Sequence, residues 1–187
     1  MRAHLRISDI VVDDTVVRVL TLDHVARRNA LTPELLAAIP AALPSSSASP
    51  TQPIRAVILE GAASTFSSGF DLRAIDGEKH TGVDPITVAA DAIAACPVPV
   101  VAAVEGACRG GAVELLAACH VRVAAADATF AVPAVHLGLV YPTSGLRRFR
   151  RVLGAAAERV LLVGRAFSAA DARGWGLVHD VVADARS

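Results

Sequence analysis

The chain has 187 residues, 53% of them hydrophobic, with 18 basic and 18 acidic side chains that cancel to a net charge of zero. That length suits one domain with a substantial core, and a balanced charge without a basic footprint excludes nucleic acid as a partner. Mean hydropathy is +0.50, yet Asp91, Glu105, Glu114, His120, Arg122 and Asp127 interrupt the apolar stretch from 88 to 135, so no run reaches the roughly 20 residues a bilayer crossing needs.

The opening MRAHLRISDIVVDD lacks the apolar run of a secretory signal, and a cytoplasmic protein is expected. Two β-rich segments come first, 5–12 and 16–22, joined by Asp13 and Asp14, which suit a hairpin turn. A short helix follows: Thr32 is a good N-cap, Pro33 fits the first helical position, and Glu34 favours the positive end of the dipole. Its expected end is near Pro40. Residues 44–53, PSSSASPTQP, hold no large apolar group and read as a mobile loop within the domain.

Beyond the loop, strand-like and helix-like segments alternate: a strand at 54–60, a helix around 85–95, a strand at 97–106, a helix at about 111–118 and a strand at 120–126. Such alternation implies an α/β layered core. Ser168 begins another short helix that Gly174 and Gly176 end, before a strand at 177–182. Cys96, Cys108 and Cys119 are odd in number, form no CxxC pair and sit among apolar neighbours. They read as small core residues rather than disulfides or zinc ligands.

Two glycine-containing turns follow apolar strands, in AVILEGAASTFSSGFDLR (56–73) and VPVVAAVEGACRGGAVELLAAC (98–119). Gly110 and Gly111 allow a tight turn and a close ligand approach. The helix beginning there offers unsatisfied N–H groups to a negatively charged oxygen. Two such donors on one thioester oxygen would stabilise an enolate or a tetrahedral anion, and one donor is worth about 10²–10³ in rate.

The segments FSSGFDLR, PVVAAVEGACRGGAVELLAACHVRVAAADATFAVPAVHLGL and SAADARGWGLVHDVV, with RRNALTPELL near the start, resemble the enoyl-CoA hydratase/isomerase (crotonase) family in order and spacing. The resemblance implies a ββα spiral fold over 1–187, a CoA or acyl carrier protein thioester as substrate, and assembly into homotrimers or hexamers. No metal, redox nucleotide or pyridoxal phosphate is implied, because CoA enters as part of the substrate. By position, the oxyanion donors are the N–H groups of Phe70 and Gly111, with Phe70 replacing the usual Ala. Ser68, Asp71, Leu72, Arg73 and Gly110 fall beside them, and Arg73 with Arg27 or Arg28 falls near the CoA entrance, unless these arginines are solvated surface charges.

Glu114 falls at the family's first catalytic glutamate, three residues after Gly111. The second is expected after Pro133, where this chain has Ala134. Hydration divides proton transfer between two groups, each worth about 10²–10⁴. A lone carboxylate suits dehydration or a double-bond shift as well, and decarboxylation of a malonyl-type thioester needs still less acid/base machinery. His136 is a candidate substitute, because residues two apart on an extended segment share a face. Tyr141, Thr143 and Ser144 occupy a loop that is glycine-rich in relatives, and read either as pocket-lining or as ordinary loop and cap residues. His120 reads as a polar residue at a strand start. Relatives continue for some 60 residues beyond this C-terminus, into helices that cover the pocket. That difference raises a further alternative, a catalytically weak acyl-CoA-binding or assembly subunit paired with a longer homologue.

Overall fold

The computed structural model describes residues 3–45, 53–74 and 84–186. Most of the 44–53 segment and the stretch 75–83 lie outside the described residues. Strands β1 (His4–Val12) and β2 (Thr15–Asp23) form the expected hairpin, with Val12 opposite Thr15. Asp13 and Asp14 turn it with φ of 49° and 60°, the left-handed pair that two-residue hairpins favour.

Helix α1 (Pro33–Ala42) starts where expected, and Thr32 Oγ1 accepts from the Leu35 N–H at 3.3 Å. It ends two residues past Pro40, close to the expected end. Proline so close to a helix end removes a single backbone bond, and the buried Leu35, Leu36 and Ile39 hold the helix to the core.

There follow β3 (Ile54–Gly61), α2 (Pro85–Ala94), β4 (Val100–Val104), β5 (Ala107–Arg109), α3 (Gly111–Ala118), β6 (Val121–Ala125) and β7 (Thr129–Ala131). The chain ends with α4 (Thr143–Leu153), α5 (Ala156–Val163), β8 (Phe167–Ser168), α6 (Ala169–Gly174) and β9 (Asp180–Val182). One sheet has the order β1-β2-β3-β4-β6-β9, parallel except for the opening hairpin, and a smaller one has the order β5-β7-β8. From β4 onward the chain gives a strand to the large sheet, a strand to the small sheet, then a helix. β4-β5-α3 and β6-β7-α4 are two such turns.

The central strand β4, VVAAV, is apolar on both faces, as a parallel strand covered on both sides must be. Expected strands at 97–106, 120–126 and 177–182 are each shorter than anticipated. Pro97 and Pro99 lack the N–H that a ladder requires. Leu177 and Val178 instead close α6 by donating to the Ala172 carbonyl at 2.8 and 3.2 Å. α6 itself carries a capping box, Ser168 and Asp171 bonding reciprocally. His120 immediately precedes β6, and its Nδ1 accepts from the Val100 N–H at 3.0 Å. Cys96, Cys108 and Cys119 are all buried and unbridged. No helix among the described residues is long and apolar enough to cross a membrane.

Candidate active site

The two glycine-containing turns are stitched together by main chain. Ser67 N–H donates to the Ala107 carbonyl and Arg109 N–H to the Ser67 carbonyl, each at 3.0 Å. On its other side, the Phe70 segment bridges Leu31: Leu31 N–H donates to Gly69 O at 2.8 Å and Asp71 N–H to Leu31 O at 2.9 Å. Because alternate groups of an extended segment point to opposite sides, the Phe70 N–H faces away from Leu31. It donates to no acceptor among the described residues. Gly110 has φ +53°, which favours glycine, and its N–H is spent on Ala131 O at 2.8 Å. Gly111 is the first residue of α3, so its N–H has no intrahelical acceptor.

Two residues outside the expected site fix this arrangement. Asn29 is buried with φ 56°, and its Nδ2 donates to Ala62 O at 2.8 Å and Thr65 O at 2.7 Å. Ser67 Oγ donates to Asn29 O at 2.7 Å. A buried Asn in left-handed backbone is the local signal that sequence reading passed over.

Ser68, Phe70, Leu72, Gly110, Gly111, Pro133, Ala134 and Tyr141, all anticipated, line one cavity of about 620 Å³. Ser144 lines it too, whereas Thr143 begins α4 outside the lining. The sequence reading missed Asp84, Ile86 and Thr87 from the start of α2, and Leu137, Leu139, Val140 and Pro142 from the segment before α4. Most of these are apolar, so the cavity suits a hydrocarbon chain.

Arg27, Arg28, Asp71 and Arg73 do not line the cavity. Arg27 Nη1 donates to Asp71 Oδ2 at 2.7 Å, and Arg73 Nε lies 3.9 Å from Asp71 Oδ1. Burial opposes ionisation of Asp71, but the Arg73 N–H and Arg27 outweigh it and hold the carboxyl below its ordinary value. The carbonyls of Arg27 and Arg28 anchor Ser68, accepting from its Oγ at 2.9 Å and its N–H at 2.8 Å.

Glu114 is 0% exposed in the first turn of α3, a helix whose every residue is buried. Neither carboxylate oxygen has a hydrogen-bond partner. It stands behind the cavity lining, facing α4, where Gly145 directly follows the lining residue Ser144. A Cβ on Gly145 would lie 2.8 Å from Glu114 Oε2, so any larger residue there would displace the carboxylate. Burial raises the Glu114 pKa to about 7, against the pull of Arg148 and with help from Asp84 and Asp91. The Tyr141 hydroxyl is raised likewise, by burial and then by the Glu114 charge.

The expectation for His136 is corrected. Residues Pro133–Leu137 form a 3-10 helix rather than an extended segment, so His136 and Ala134 do not share a face. His136 is exposed, outside the cavity lining, and set against Gly164 of the turn after α5.

A buried carboxylate, two N–H groups without an acceptor among the described residues and an apolar cavity thus lie together at the strand ends of an α/β fold. Residues 13–186 match the sequence profile of the enoyl-CoA hydratase/isomerase family, and the chain belongs to that family. It is 32% identical over 179 residues to the peroxisomal Δ(3,5)-Δ(2,4)-dienoyl-CoA isomerase of Arabidopsis thaliana, covering 87% of this chain and 64% of that one. Over 139 residues it is 36% identical to the mevalonyl-coenzyme A hydratase of Aspergillus fumigatus, covering 71% of this chain and 51% of the relative. The crystal structure of the enoyl-CoA hydratase of Mycobacterium smegmatis superposes with a TM-score of 0.82 at 32% identity, over 95% of this chain and 70% of that one. The fold is the α/β crotonase fold that the sequence segments implied. The chain spans 64% and 51% of the lengths of these two curated relatives.

Proposed function

We propose that the protein acts on an acyl-CoA thioester, holding the thioester oxygen between the N–H groups of Phe70 and Gly111 while Glu114 moves a proton. The observation that carries this reading is the unpartnered Glu114 carboxylate, buried one helical turn from a free N–H beside an apolar cavity. As the substrate C–H bond breaks, its electron pair delocalises to the thioester oxygen and the proton passes to Glu114. The two N–H groups meet the developing charge in a site that needs no reorganisation. Return of the proton to another carbon shifts the double bond, whereas its delivery from Glu114 to a β-hydroxyl, which then leaves as water, completes a dehydration. Neither course requires a second carboxylate where Ala134 stands, nor a metal or redox cofactor. An acyl carrier protein thioester presents the same chemistry.

A pKa near 7 equips Glu114 both to take and to give a proton at neutral pH. The named relatives, an isomerase and a hydratase, support this reaction class. Ala134 favours a second reading, decarboxylation of a malonyl-type thioester, which uses the oxyanion donors alone. A third is an acyl-CoA-binding subunit of weak activity that pairs with a longer homologue in the cytoplasm.

Purified protein offered crotonyl-CoA, a 3-enoyl-CoA and methylmalonyl-CoA separates these readings. Turnover of either enoyl substrate should fall by about 10²–10⁴ in Glu114→Gln, with acyl-CoA binding kept. Enoyl turnover indifferent to that change refutes the role given to Glu114. Turnover of methylmalonyl-CoA alone favours the second reading, and binding without turnover the third.

A further inference from the structure

Arg148 of α4 stands between two carboxylates and satisfies one of them. Its Nη2 donates to Asp91 Oδ1 on α2 at 2.5 Å. Its Nη1 stops 3.9 Å from Glu114 Oε1, beyond hydrogen-bond reach. The side chain is 7% exposed, and its Nε–H is buried without a partner, as are both Glu114 oxygens. Two neighbouring side chains thus keep a buried donor and two buried acceptors unsatisfied, an arrangement that costs stability. Asp91, with a side chain 65% exposed, holds the guanidinium back.

We propose that Asp91 and Arg148 are positioning residues that set the proton affinity of Glu114. With Arg148 tethered to Asp91, Glu114 feels a nearby cation but receives no hydrogen bond that would lock it ionised. Released from Asp91, the guanidinium has a vacant donor set and a charged carboxylate within one rotamer adjustment. This inference rests on Glu114 as the proton-transfer group, and assigns what tunes it.

The charged groups facing Glu114 act in opposite directions. From α2, Asp84 and Asp91 both push its proton affinity up. Asp84 is tied as the N-cap of α2, accepting from the Ile86 and Thr87 N–H groups. Burial keeps the Tyr141 hydroxyl and the Cys108 thiol of β5 protonated. Among the described residues Arg148 is the cation whose charge pulls Glu114 down.

The test is a carboxyl-carbon NMR titration of protein labelled in its glutamates, with Glu114 assigned by its loss in Glu114→Gln, run beside the pH dependence of kcat. In Asp91→Asn the Glu114 midpoint should fall by about one pH unit or more, partly from the lost Asp91 charge and partly from Arg148 turning to Glu114, with the acid limb of kcat following and the fall shrinking once Arg148→Met is added. In Arg148→Met the midpoint should rise by a similar amount, and Arg148→Lys should restore part of it. An unchanged midpoint in Asp91→Asn overturns the proposal, and this substitution at an exposed carboxylate decides the matter even if the Arg148 variants fail to fold. A midpoint that moves while the kcat profile stays fixed supports the coupling and refutes Glu114 as the proton carrier.

Discussion

At the scale of the residue, Glu114 couples the site to the stability of the protein. Its carboxyl titrates near 7 when folded, against an ordinary value of 4.5. Below 4.5 the group is neutral folded or unfolded, and burial carries no charge penalty. Above 7 the folded state holds a buried anion that the unfolded chain hydrates. Stability from this group is therefore fully present below 4.5 and is lost as pH rises through 7, by about 3 kcal/mol in all. Urea unfolding of the wild type should show that decline, and Glu114→Gln should remove it from the difference between the two proteins. A parallel pair of stability curves across that window would contradict the assignment. Glu114 was legible in the sequence because a carboxylate in GAVELLAA has no solvated face to occupy. Arg148 was not, because in LRRFRR four arginines look alike until the helix orientation decides which one turns inward.

At the scale of the element, the packing of α3 on α4 is what brings the carboxylate and Arg148 together. Gly145 sets their separation. Gly145→Ala places a methyl group 2.8–3.0 Å from all three carboxylate atoms of Glu114, and overpacking of this kind costs about 1–3 kcal/mol. The expected result is a lower thermal midpoint together with a loss of turnover larger than the loss of acyl-CoA affinity, measured by calorimetry and by kcat against KM. Equal stability and turnover would show that α4 can retreat without consequence. The long apolar strands were readable from their composition, and helices α1 and α6 from their caps. β5, β7 and β8 were not, since strands of two or three residues carry no period to detect. Helix α4 was hidden by its arginines, although Gly145, Arg148, Phe149 and Leu153 follow helical spacing on its buried side. The 3-10 turn at Pro133–Leu137 misled the placement of His136, because an apolar run after proline reads equally well as extended chain.

At the scale of the whole molecule, apolar side chains crowd the surface near the cavity mouth and α5: Val140 is 86% exposed, Leu162 72% and Leu137 52%. Clustered exposure of this kind marks association surfaces, and we propose that it serves assembly into homotrimers or hexamers, or onto a longer homologue. Light scattering should report a multiple of the chain mass that falls in the double variant Val140→Asp, Leu162→Asp. A monomeric wild type, in the absence of any homologue, would leave the third reading of the function as the stronger one. The order of the recognisable segments made the fold family legible, whereas the cavity drew on contacts between α2, the 133–142 segment and α3 that no local pattern records.

The buried cysteines have a chemical consequence. Burial pushes the Cys119 thiol up to about 12 and raises Cys108 as well, so both are protonated at neutral pH and lack the thiolate that alkylating reagents attack. Both thiols flank α3, one on β5 and the other at the helix end. Their rate of labelling is thus a built-in clock for how often the layer beneath the cavity comes apart, and a ligand that holds the cavity closed will slow it.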